Sequence, residues 1–440
     1  MPFQTTAQGS KYSLIAFAND GRERSDDPDG VNGQLSTRII EDISHDTSVT
    51  DVFLLSHGWM GDVPTAIDQY NRWIGAMNAL GSDRARMIKL RPGFKPLWIA
   101  VHWPSKPWGN EEFGGAGAAF SAPYDPIDLY VERLGDRPGL REAIAVVVSE
   151  AARHPDATRL SFAAENAYLD INKLLQLGAT GVGGSPGTDR KAFDPNVYFE
   201  AARQEASFGL GDVLDGVLAP LRQLSFWEMK QRACQIGETG MHGFLADLQL
   251  AFGKRDVRIH LMGHSFGCIV TSAVLCGPAS GARPINPVDS LALVQGALSL
   301  WSYCSKIPVV PGQSGYFHKI GEAVAGPILT TRSIFDTANG RFYPLGAGVA
   351  NQINFAHGEL PVYGAIGSFG AQGLVPAAAD MPMRAANDDY GFVAGQIYNL
   401  EASQFIRIGS GPAGAHNDIS GREVAHAIWQ AALPVAAHGD

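Results

Sequence analysis

Short, largely apolar runs recur along this chain, and several of them carry Gly, His or Asp at or near their carboxyl ends. They read KYSLIAF (11–17), DVFLLSHGW (51–59), PLWIAVHW (96–103), VRIHLMG (257–263), SLALVQGAL (290–298), PILTTRSIFD (327–336) and, more weakly, QIYNLEASQFIRI (396–408). A run without polar alternation suits a strand covered on both faces, as in a parallel sheet. Helical patterns lie between the runs. TAIDQYNRWIGAMNAL (65–80) puts Ile67, Tyr70, Trp73, Ile74 and Met77 on one stripe. Residues 226–252 give a second long pattern, CIVTSAVLC (268–276) a third, and EVAHAIWQAAL (423–433) closes the chain with Val424 and Ile428 inward. Strands alternating with helices predict an α/β architecture with a mostly parallel central sheet flanked by helices.

The segment 109–225 departs from this rhythm. It holds helical stretches, LREAIAVVVSEAARH (140–154) and NAYLDINKLLQL (166–177), then the Gly-rich loop GATGVGGSPGTD (178–189). It reads as a large, mainly helical insertion that divides a core of 1–108 and 226–440. A second irregular stretch, 340–391, is rich in Gly, Ala and Pro, and loops of that length commonly serve a site. No internal repeat is visible.

Composition narrows the function without naming it. With 45% hydrophobic and 18% charged residues the chain is of ordinary globular type. A net charge of −10 disfavours nucleic acid as a partner. Cys234, Cys268, Cys276 and Cys304 form no CxxC pair, so they are expected to be reduced packing thiols rather than metal ligands. No basic region followed by an apolar stretch opens the sequence, and no apolar run reaches the ~18–20 residues of a membrane span. A cytoplasmic protein without a membrane span is the expectation. Oligomeric state is not legible.

Chemistry enters at RIHLMGHSFGCIV (258–270). Gly263-His264-Ser265-Phe266-Gly267 is poor strand and poor helix, yet a strand precedes it and a helix follows. Gly-x-Ser-x-Gly in that context is what a nucleophile elbow requires, with the serine on a strained turn and small neighbours that let strand and helix pack closely; an ordinary strand-to-helix turn is the alternative. Ser265 needs a base. Of the 12 histidines, His57, His102 and His260 lie in or at the ends of strands, and His426 lies in the last helix. His264 should leave the elbow in another direction from Ser265. His416, in the loop SGPAGAHNDISG after the last strand, can be carried over the serine. The acid that orients it is expected to be Asp336, at the end of ILTTRSIFD, because Asp289 begins a strand and Asp418 is too close in sequence. Donors for a developing oxyanion are expected from the backbone N–H groups of Trp59, in SHGWMGD, and of Phe266. His57, Trp59, His264, Trp103 and Trp108 are candidate walls of the substrate pocket, and Phe113 adds an aromatic group nearby.

On HGW at 57–59, GHSFG at 263–267, Asp336 after a late strand and His416 before the last helix, the chain resembles an α/β-hydrolase-fold serine hydrolase of esterase or lipase type. The resemblance covers roughly residues 11–108 and 250–433. It implies an eight-stranded, mostly parallel sheet and a cap, here the 109–225 insertion. It also implies Ser265 as nucleophile, Asp336 as acid, His416 as base and the Trp59 and Phe266 amides as oxyanion hole. A serine at 265 separates the chain from the dehalogenase and epoxide-hydrolase branches, which use aspartate. The expected reaction is cleavage of a small carboxylic ester with an apolar acyl or aryl group, through an acyl-enzyme and with neither metal nor cofactor. An amidase, thioesterase or lactonase on the same residues, and a non-catalytic ligand-binding protein, are the alternatives. A lipase working at an interface is a further form of the first.

Overall fold

Strand β3 (Asp51–Ser56) shows how the sheet is built: all six of its residues are buried. Phe53 and Leu55 join one apolar cluster, with Tyr70, Trp73 and Trp429, leaving Val52 and Leu54 to fill the other face. The computed structural model describes residues 3–59, 62–105, 126–200, 215–343, 360–411 and 413–433. Among these, nine strands form one sheet in the order β1-β2-β4-β3-β5-β6-β7-β9-β8. The strands are β1 (Phe3–Thr5), β2 (Lys11–Ala16), β3, β4 (Pro96–His102), β5 (Arg258–His264), β6 (Ser290–Val294), β7 (Ile328–Arg332), β8 (Ala379–Pro382) and β9 (Ile397–Glu401). Only β1 runs antiparallel to its neighbour. The α/β class and the mostly parallel sheet read from the sequence are therefore present.

Helices cover both faces. Val63–Ala79 and Gly81–Leu90 pack with Arg422–Ala432, whereas Leu35–His45 packs with His242–Phe252, which in turn meets Gly267–Cys276. The chain leaves β3 for β4 on one side and later returns to place β5 on the other side of β3. That reversal is a topological switch point, and the crevice outside the carboxyl ends of such strands is where α/β sheets place ligands.

Several boundaries differ from the sequence reading. The long helical pattern at 226–252 is broken into Asp215–Ile236 and His242–Phe252 by a π-helical turn, Gly237–Met241. Strand β7 ends at Arg332 rather than at Asp336. The Ser333 hydroxyl takes the Phe335 N–H at 3.1 Å and turns the chain. Strand β6 ends at Val294 because Gln295 turns left-handed, with φ of +46°. Strands β1 and β8 were not anticipated. Both are short edge strands of 3 and 4 residues whose side chains are only partly covered.

The chain divides into two compact units, one of Met1–Ser105, Arg232–Tyr343 and Gly364–Asp440, the other of Lys106–Gln231 and Pro344–Tyr363. The second unit is helical among its described residues, with Pro126–Leu134, Leu140–Arg153 and Phe162–Leu174. Within it, Lys230 is fully buried 4.0 Å from Asp189, with its ammonium 4.6 Å from the Trp227 ring. Burial lowers the Lys230 pKa to about 8 against the pull of Asp189. No helix among the described residues is long and apolar enough to cross a membrane.

Candidate active site

The elbow forms because β5 runs directly into the helix Gly267–Cys276. Between them Ser265 takes φ of +55°, a left-handed conformation that costs a non-glycine residue about 1–2 kcal/mol. The turn is held by the Ser265 N–H donating to Val294 O at 3.2 Å and by Ala297 N–H donating to Ser265 O at 3.1 Å. Gly267 cannot carry a side chain, since a Cβ there would lie 2.3 Å from Ser56 O. At Gly263 the added carbon would lie 2.5 Å from Gly267 O. The spacing of small residues seen in the sequence is thus a packing requirement.

Ser265, His416 and Asp336, 151 and 80 residues apart in the two steps, meet in one hydrogen-bonded chain. Ser265 Oγ lies 2.8 Å from His416 Nε2, and His416 Nδ1 lies 2.9 Å from Asp336 Oδ2. All three are buried, with 4%, 8% and 1% of their surfaces exposed. Their loops are stitched to one another through the backbone. Ala415 N–H donates to Phe335 O at 2.8 Å, Ala338 N–H to Ala413 O at 3.4 Å, and Asp336 bridges Gly414 in antiparallel fashion. Acid and base are therefore preset rather than brought together by flexible side chains.

Asp289 and Asp418 have other work. Asp289 Oδ2 accepts from Ile259 N–H at 2.8 Å, at the amino end of β5. Asp418 Oδ2 accepts from the N–H groups of Arg407 and Ile408 at 2.9 and 2.7 Å, which closes the loop that carries His416.

The turn after β3 lies directly against the elbow, because a Cβ on Gly58 would come 2.6 Å from Ser265 Cβ. The Trp59 ring stacks on the Phe266 ring at 5.6 Å and 28°. His57 fixes this turn. Its Nε2 accepts from Trp103 N–H at 3.3 Å, its Nδ1 faces Gly58 O at 2.8 Å, and its backbone N–H donates to Tyr70 Oη at 2.7 Å. Burial, and then the neighbouring His102, lower the His57 pKa to about 3, so the ring is neutral with its proton on Nδ1. The Trp103 indole donates to His57 O at 3.2 Å and stacks on the imidazole at 7°. His57 and Trp103 are thus fully packed supports rather than open walls of a pocket. Trp108 and Phe113 lie outside the described residues.

His264 has a role that the sequence did not reveal. Its Nε2–H donates to the backbone carbonyl of His416 at 3.0 Å, and its ring meets Trp73 edge-on. Burial and the adjacent His416 hold its pKa well below the ordinary imidazole value, so it is a neutral donor. A histidine beside the serine was visible in the sequence. That it would clamp the loop of another histidine, 152 residues away, was not.

Chemically the arrangement offers a hydroxyl, a base within proton-transfer distance and a buried carboxylate to fix the base's tautomer. Among the described residues, no three His, Cys, Asp or Glu side chains converge as metal ligands. All four cysteines are free. No protein-family model matches the chain, and neither a curated protein nor a solved structure does.

Proposed function

We propose that the protein is a serine hydrolase that cleaves carboxylic esters, with an α/β-hydrolase-type core and the 109–225 insertion as its cap. The observation that carries this reading is the Ser265–His416–Asp336 chain, at 2.8 and 2.9 Å, on a left-handed serine at the switch point of a parallel sheet. Each part is explicable alone; a strained serine, a base loop and an acid loop stitched together at one sheet edge call for a common purpose.

In the proposed reaction His416 Nε2 takes the Ser265 proton as Oγ attacks the ester carbonyl. The oxyanion accepts from the N–H groups of Trp59 and Phe266. Asp336 keeps the proton of His416 on Nδ1 and balances the imidazolium charge. The imidazolium then protonates the leaving alkoxide, the alcohol departs, and an acyl-Ser265 ester remains. Water, deprotonated by His416, attacks this ester, and collapse of the second intermediate returns the proton to Ser265 and frees the acid. A small ester with an apolar acyl or aryl group suits the aromatic pair Trp59 and Phe266 beside the serine.

A panel of aryl esters of increasing acyl length tests the reading. Wild type is expected to release the aryl alcohol in a burst stoichiometric with enzyme, and Ser265→Ala to release none. Hydrolysis that survives in Ser265→Ala excludes Ser265 as the nucleophile.

A further inference from the structure

The carboxylate of Asp336 has more partners than a base-orienting acid needs. Oδ2 accepts from His416 Nδ1 at 2.9 Å, Gln295 Nε2 at 2.8 Å and Asn339 Nδ2 at 2.8 Å. Oδ1 accepts from the Asn339 backbone N–H at 3.0 Å. Gln295 and Asn339 are themselves buried, at 0% and 1% exposure.

Both amides can point only one way. The Thr331 hydroxyl accepts from Gln295 N–H at 2.9 Å and donates to Gln295 Oε1 at 2.9 Å, which turns Nε2 toward the carboxylate. The second proton of Asn339 Nδ2 goes to Gln295 O at 2.9 Å. Reversing either amide would aim a carbonyl oxygen at Asp336 and leave buried polar atoms unpaired, each at a cost of about 1–3 kcal/mol. The backbone is shaped to allow this. Gln295 accepts φ of +46°, and Gly367 leaves the space that the Asn339 amide fills, since a Cβ there would meet Nδ2 at 2.2 Å.

We propose that Gln295 and Asn339 are positioning residues that act through Asp336. They hold Oδ2 where the Nδ1–H of His416 points, so that the Nε2 lone pair stays on Ser265. Without their amides Oδ2 keeps only the His416 contact while Oδ1 stays on the Asn339 backbone N–H, so the carboxylate is less firmly set and the imidazole loses part of its tautomer lock and its aim. The inference rests on the serine-hydrolase reading and adds to it the residues that set the acid. Simple satisfaction of a buried charge also calls for donors; the test must separate the two roles.

The test measures the second-order rate of fluorophosphonate labelling of the full chain, with thermal stability followed in parallel. The variants are Gln295→Met, Gln295→Glu and Thr331→Val. Hydrogen-bond partners that orient metal-ligating histidines and carboxylates typically carry about 10–100-fold in activity, and Gln295 stands in the same relation to Asp336. Gln295→Met is expected to lose labelling rate in that range. Gln295→Glu, which turns a donor into an acceptor, is expected to lose more. Thr331→Val, which keeps Gln295 but removes the hydroxyl that orients its amide and accepts its backbone N–H, is expected to lose less, and the parallel stability measurement shows whether each variant folds.

In an Asp336→Asn background the Gln295→Met loss is expected to vanish, because the residue acts through Asp336. A loss that persists undiminished there overturns the proposal, as does a Gln295→Met protein that labels like wild type. Should wild type take no adduct, the hydrolase reading fails by itself. The far-downfield proton signal of His416 Nδ1–H then decides the positioning role: its loss in Gln295→Met supports it, and an unchanged signal overturns it.

Discussion

Among the described residues, two buried Ser–His–Asp constellations lie at opposite edges of one sheet. Ser265, His416 and Asp336 meet at the carboxyl edge. At the amino edge, His260 Nδ1 lies 2.8 Å from Ser290 Oγ and its Nε2 lies 3.4 Å from Asp51 Oδ1. Residue types and burial match, but the two imidazole nitrogens exchange partners and the backbone differs. Ser290, His260 and Asp51 all sit within strands, and the imidazole is sandwiched against Phe53 at 4.7 Å. Asp51 is further engaged by Thr50 and by Arg91 at 3.4 Å. Ser265 instead stands on a left-handed turn and His416 on a loop. The two triplets therefore differ in presentation: on the proposed reading, the strained turn at the carboxyl edge is what makes Ser265 a nucleophile, and the same residue types within strands serve packing.

Substitutions in matched pairs sharpen the contrast. The largest effect is expected at the serines. Ser265→Ala should lower ester turnover by on the order of 10⁶. Ser290→Ala should leave turnover alone and cost ~1–3 kcal/mol in urea unfolding, through an unpaired His260 nitrogen. Next come the acids. Asp336→Asn is expected to lower kcat about 10⁴-fold with KM little changed, by losing the tautomer lock. Asp51→Asn should keep kcat and weaken only the fold. A smaller effect follows from displacing the elbow. Gly267→Ala should cost ~1–3 kcal/mol from overpacking against Ser56. It should also reduce kcat about 10²-fold, because the serine moves.

A third pair gives the smallest effect and a pH signature. His426 Nδ1 lies 2.8 Å from Asp83 Oδ2, much as His416 Nδ1 lies 2.9 Å from Asp336, but its Nε2 faces the carbonyl of Asp388 at 2.8 Å instead of a hydroxyl. A carbonyl only accepts, so this ring must donate twice. Burial opposes the charge, but the Asp83 hydrogen bond, the Asp388 carbonyl and the Asp83 charge together raise the His426 pKa. A raised folded-state pKa stabilises the fold fully below the unfolded value, about 6.5 for an imidazole, and the gain is lost as pH rises through the folded pKa. The difference in Tm between wild type and His426→Gln should therefore be full in mild acid and close in alkali. A gap that widens with pH would contradict this.

Legibility in the sequence followed locality. The elbow announced itself because Gly263, Ser265 and Gly267 fall within five residues, and each is required by contacts of the same turn. The central strands were visible because burial on both faces leaves no polar alternation, whereas β1 and β8, at the edges, carry no such mark. Asp336 closes the apolar run ILTTRSIFD and so could be placed at the carboxyl edge, even though its strand stops four residues earlier, at Arg332. Gln295 and Asn339 could not. Their meeting at Asp336 spans 41 residues for Gln295 and depends on a left-handed backbone that no local pattern predicts. The clamp from His264 to the His416 carbonyl was hidden for the same reason.

The most direct test is intact-mass analysis after fluorophosphonate treatment of wild type, Ser265→Ala and Ser290→Ala side by side. Attack by an activated serine expels fluoride and adds one phosphonyl group, whatever the natural substrate. The account predicts a single adduct on wild type and on Ser290→Ala, and none on Ser265→Ala. An adduct that remains on Ser265→Ala, or no adduct on any of the three while a control hydrolase is labelled, would contradict it.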